Sequence, residues 1–157
     1  MLMADPATAL GESRRILRPG GRIALAVWDS IDTNPWASFP ARELIERGLL
    51  PRPDPGSRVP GPFALGDRER LAGLLDRAGF AEVEVDALEL VRRHPDFDDL
   101  WETTLDLSRS FHDAVLARTE EEIKQIRASL AERFAPHTRA DGTIEIPART
   151  LLAAATA

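Results

Sequence analysis

The chain has 157 residues, 43% hydrophobic and 29% charged, enough for one hydrophobic core and too few for two substantial ones. Its 26 acidic residues outnumber 20 basic ones, a balance of −6 that argues against generic binding to nucleic acid or to anionic membranes. The absence of cysteine excludes a disulfide framework, a thiolate zinc site and a cysteine nucleophile, and suits a cytoplasmic protein.

The residues before Asp5-Pro6 lack the basic and apolar regions of a signal peptide, and no apolar run nears the ~20 residues that span a bilayer. Asp5 offers a capping oxygen and Pro6 suits a first helical position, so a helix is expected to about Leu17. Its apolar face, Met3, Ala7, Leu10 and Leu17, is thin and needs a sheet to lie on. Pro19 cannot continue that helix, and Gly20-Gly21 allow the chain to reverse. Arg22 to Trp28 then reads as a strand covered on both faces, which implies a layered α/β domain.

The segment Asp29 to Trp36, D-S-I-D-T-N-P-W, favours local turns before a short helix from about Trp36 to Arg47. Pro51 to Pro62 is rich in proline and glycine and reads as an extended connector, or else a lid. Asp67 opens a helix to Ala78 with Leu71, Leu74, Leu75 and Ala78 at helical spacing and Gly79 as its stop. A strand from Glu82 to Val91 follows, with one wet face near its start or an edge position. Residues 92–140 read as a helical insertion. Phe97, Leu100, Trp101, Leu105, Phe111 and Val115 form one apolar stripe, and a second helix opens at the capping box T-E-E-E of Thr119. After the turn at Asp141-Gly142 the last strand runs from Thr143 to Ala155, where Pro147 suggests a bulge or an edge.

Three stretches together resemble a known family. The helix with E-S-R-R-I-L, the turn R-P-G-G-R and the strand I-A-L-A-V-W look like the lead into the fifth strand of class I S-adenosylmethionine-dependent methyltransferases of the ubiquinone/menaquinone-biosynthesis type. F-A-L-G-D-R-E-R-L-A-G-L-L-D-R-A-G-F-A-E-V-E-V is similar to that family's helix and sixth strand, and D-G-T-I-E-I-P-A-R-T-L-L-A-A-A to its seventh. The resemblance covers nearly the whole chain and the C-terminal half of the family's domain. It implies a single domain over 1–157, a partial Rossmann-like fold with a three-stranded mixed sheet in the order 5-7-6, and helices on both faces. It also implies a small-molecule acceptor and S-adenosylmethionine as cofactor. The glycine-rich loop and acidic residue that hold this cofactor in the family have no counterpart here: the ten glycines include no G-x-G. The isolated chain is therefore expected to be inactive, or to depend on a half that lies upstream or in another chain.

Ligands in open α/β sheets collect at the carboxyl ends of strands. Trp28, Asp29, Asn34, Trp36 and Phe39, just beyond the first strand, are accordingly candidate acceptor contacts. The alternative reading is that Asp29 and Asn34 cap turns while the aromatic residues close the core. His94, His112 and His137 lack metal-ligand spacing and read as surface or boundary residues. Asp98 and Asp99 at a helix start are explained by the helix dipole. No residue stands out as catalytic, since methyl transfer from a sulfonium is chiefly a matter of in-line positioning. The strand Arg22 to Trp28 would present an open edge, which predicts a homodimer or a partner chain. Two functions stay open: a methyltransferase half acting on a small metabolite, and a non-catalytic binding or dimerisation module built on the same fold.

Overall fold

The computed structural model describes residues 2–53 and 60–157. Half of the expected connector Pro51 to Pro62, residues 54–59, lies outside the described residues. The chain divides into two compact units, Met1–Thr33 with Gly56–Leu90 and Arg149–Ala157, and Asn34–Pro55 with Val91–Ala148.

The first unit is α/β. Helix α1 (Pro6–Ile16) starts where Asp5 accepts from the amides of Ala7 and Thr8 at 3.0 and 3.1 Å. Gly20, at a φ of 74°, makes the reversal into strand β1 (Arg22–Trp28), and the amide of Gly20 donates to Ala157 at 2.9 Å. Helix α2 (Pro35–Glu46) belongs to the second unit. Helix α3 (Arg68–Arg77), capped by Asp67, leads through Gly79 into strand β2 (Ala81–His94). Three helices later the chain returns as strand β3 (Ile144–Thr156).

The sheet order is β1-β3-β2, the order expected from the sequence. Strand β3 runs antiparallel to β1, with Arg22 opposite Thr156 and Trp28 opposite Thr150. It also runs antiparallel to β2, because Thr156 meets Glu82 at 2.8 Å while Arg149 meets Glu89 at 3.3 Å. Ile23, Leu25 and Val27 alternate inward with Leu151, Ala153 and Ala155 and pack against Leu10 of α1 and Leu71, Leu74 and Leu75 of α3. Each fully buried leucine here contributes about 1.5–3 kcal/mol.

The expectation that β1 is covered on both faces is corrected. Arg22, Ala24 and Ala26 are exposed, so the strand is an alternating edge strand. Its apolar run misleads because the outward residues in the middle of the strand are the alanines Ala24 and Ala26, which leave little apolar surface to hide. Beside them the same side of the sheet carries a groove of about 450 Å³ lined by Leu152, Ala154, Glu84 and Asp86.

The second unit is mostly helical. Strand β2 runs three residues beyond the expected Val91, and its last four residues belong here. The apolar stripe is broken into α4 (Phe97–Leu107) and α5 (Arg109–Leu116), because Ser108 turns out of helical conformation and caps the amide of Phe111. Helix α6 (Glu120–Phe134) opens on the expected capping box, with Thr119 and Glu122 bonded reciprocally. Leu44, Leu100, Trp101, Phe111, Ile126 and Phe134 form its core with Ile144 and Ile146. Trp101 meets Phe111 edge-on at 5.5 Å. Pro147 sits in the stretch of β3 beyond the register with β1, where a missing N–H disrupts no β1 bond.

A buried carboxylate ties this unit together. Glu43 on α2, only 2% exposed, accepts from Arg47 at 2.5 Å, from Ser129 at 2.7 Å and from Arg133 at 3.0 Å. Burial alone would raise its pKa. The hydrogen bonds from Arg47 and Ser129, with the charges of Arg47 and Arg133, outweigh that and hold it below the ordinary glutamate range.

Candidate functional site

The five residues read from the sequence fall in both units. In the first, Trp28 ends β1 and Asp29 follows it. The Asp29 carboxylate accepts from the Ser30 amide at 2.7 Å and faces Arg149 at 3.1 Å, while its own amide donates to the Arg149 carbonyl at 3.1 Å. Gly66 lies directly against this backbone: a Cβ there would come within 2.8 Å of the Asp29 carbonyl carbon and oxygen. Asp29 thus fastens the end of β1 to β3.

In the second unit, Asn34, Trp36 and Phe39 lie at the start of α2. Asn34 is completely buried and occupies the N-cap position, yet its side chain makes no cap bond. Its Oδ1 accepts instead from the indole N–H of Trp36 at 3.0 Å, which fixes the plane of that ring. Phe39, one turn along, packs on Phe134 at 5.1 Å and on His137 at 6.0 Å between ring centres. Asn34 and Trp36 therefore form one constellation and Phe39 joins the core.

Strand β2 adds Arg92 and His94, which the sequence reading did not place at a site. The guanidinium of Arg92 lies over the Trp36 ring at 4.6 Å from its centre. Burial lowers the pKa of this arginine, with no carboxylate acting in the opposite direction. His94, two residues on, was expected at the surface or a boundary and is 4% exposed. Its Nδ1 lies 2.8 Å from Oδ2 of Asp99, and its Nε2 is buried without a hydrogen-bond partner. Asp99 therefore does more than complement the helix dipole. The available signal was alternation: carrying the period of two past Val91 puts Arg92 and His94 on one face.

The described residues do not fit a donor nucleotide. Strand β1 runs into Asp29 and the 3-10 turn Ile31–Thr33, and β2 runs into α4, whose first turn holds Asp98 and Asp99. Neither junction offers the glycine-lined amides that cradle such a group.

No protein-family model matches the chain. No curated protein matches it either. Among solved structures, a candidate methyltransferase from Bacillus halodurans is similar over 98% of this chain, at 14% identity and a TM-score of 0.45. The chain spans 58% of that protein's length.

Proposed function

We propose that this chain is the acceptor-side half of an S-adenosylmethionine-dependent methyltransferase fold acting on a small molecule, with the donor held by residues outside this sequence. The observation that carries the reading is the sheet order β1-β3-β2 with β3 antiparallel to both neighbours, which is the 5-7-6 arrangement implied by the motif resemblance. Trp28 and Asp29 within the first unit, and Asn34, Trp36 and Phe39 within the second, are the proposed acceptor-side residues, each set taken by itself, with Trp36 held in place by Asn34. Among the described residues neither the end of β1 nor the end of β2 leads into a glycine-lined turn, and this supports leaving the donor to another segment.

The test is to read the coding sequence upstream for a glycine-rich strand-loop-helix, co-express what is found, and assay transfer of a labelled methyl group. Transfer by the pair, with no heat from S-adenosylmethionine added to this chain alone, is the expected result. A pair that binds the donor and modifies none of a broad metabolite panel would overturn the catalytic reading.

The open edge of β1 supports the second reading, a binding or dimerisation module. The amide of Asp29 and the carbonyl of Gly21 bond to β3, so the alternate residues Ala24 and Ala26 turn their backbone groups to the open edge. Pairing with a second copy centred on Leu25 sets Ala24 opposite Ala26 of that copy, and both can exchange hydrogen bonds. A homodimer, or a partner chain offering a strand, fits this edge.

A further inference from the structure

We infer that Arg92, Trp36 and His94 form a binding position for a small carboxylate that carries a hydroxyl group. This deepens the reading above by naming the chemistry of the acceptor, and it rests on that reading only for calling the ligand an acceptor.

Arg92 and His94 stand two residues apart on one strand, so their side chains share a face of β2, with Cα atoms about 6.6 Å apart. Arg93 between them points the other way, is 73% exposed in its side chain, and pairs with Glu145 at 3.0 Å. The two inward residues have polar groups that the protein does not use. Among the described residues Arg92 has no carboxylate partner and no hydrogen bond, and its one electrostatic contact is the Trp36 ring. The surrounding cations show the contrast: Arg47, Arg127 and Arg133 each hold a carboxylate. A guanidinium partly removed from water costs free energy unless an anion faces it. A stacked ring returns only about 0.5–2 kcal/mol of that. The planar fork of five donors matches a carboxylate in two-point geometry.

His94 supplies the second point. In the neutral tautomer whose Nδ1–H donates to Asp99, the imidazole presents Nε2 as an acceptor, and that nitrogen is buried and unpartnered. It calls for a donor, which a ligand hydroxyl provides. The Trp36 indole, locked by Asn34, favours an aromatic or similarly flat carbon frame over an extended polar one.

The experiment is a titration of the chain, with no methyl donor present, by 3-hydroxybenzoate, benzoate and the neutral 3-hydroxybenzamide. It is followed by Trp36 indole N–H and His94 ring signals in nuclear magnetic resonance and by calorimetry. The expected order is 3-hydroxybenzoate, then benzoate, then the amide, with at least a tenfold gap between acid and amide. Arg92→Gln should remove that gap, Arg92→Lys should keep part of it, and His94→Gln should bring 3-hydroxybenzoate down to benzoate. Near-ultraviolet circular dichroism checks that each variant is folded. Equal binding of acid and amide, or an unchanged acid affinity in folded Arg92→Gln, would overturn the assignment. Binding of the acid without any later methyl transfer would count against the enzyme reading alone.

Discussion

Replacing Glu43 by alanine isolates the energetics of the second unit. The substitution leaves Arg47 and Arg133 without the carboxylate that they share, and the Ser129 hydroxyl without its acceptor. Removing one member of a buried ion pair costs about 3–5 kcal/mol. The side chains of Arg47 and Arg133 are 31% and 29% exposed, so water takes up part of the loss. About 2–3 kcal/mol is the expected cost, or a melting temperature lower by roughly 4–12 °C for a chain of this size. Urea unfolding read by tryptophan fluorescence measures it, since Trp36 and Trp101 both belong to this unit.

The pH dependence carries an independent check. Glu43 has a folded-state pKa below its unfolded one, so its contribution is present above the unfolded value and is lost as pH falls through the folded one. The gap between wild type and Glu43→Ala should therefore be full at pH 7 and close as the solution is acidified below the ordinary glutamate pKa. A variant as stable as wild type at pH 7, or a gap that persists unchanged through that acid range, would refute the reasoning.

Gly66→Ala should destabilise the first unit by about 1–3 kcal/mol in the same unfolding assay, because the added methyl meets Asp29 backbone at 2.8 Å and no side chain can move aside. Ala24→Pro removes an edge-facing N–H without touching a bond to β3, so light scattering at increasing concentration should find wild type self-associating and the variant monomeric. Wild type that stays monomeric to hundreds of micromolar would exclude the second copy as the covering strand. Thr119→Ala should cost about 1 kcal/mol through loss of its bond to the Glu122 amide, visible as a lowered midpoint in urea.

Local chemistry decided much of this protein from the sequence. Asp5, Asp67 and Thr119 cap helices where their side chains can reach free amides, Gly20 and Gly79 turn the chain where a positive φ is needed, and the three strands fall where apolar residues concentrate. The order β1-β3-β2 was legible only through the motif resemblance, since nothing in a strand's own residues names its neighbours.

Tertiary structure alone decided the rest. Asn34 reads as a cap and instead orients an indole, because that ring happens to lie within 3.0 Å. Arg92 and His94 fall in the stretch that reads as a helical insertion, yet the extension of β2 turns both inward, one over Trp36 and the other against Asp99. Glu43 gives no sign in sequence of being buried, since two of its partners, Ser129 and Arg133, lie more than eighty residues away. Caps and turns depend on atoms a few bonds apart, which the sequence specifies directly. The environment of a charge depends on which distant segments close around it, and only the folded chain sets that.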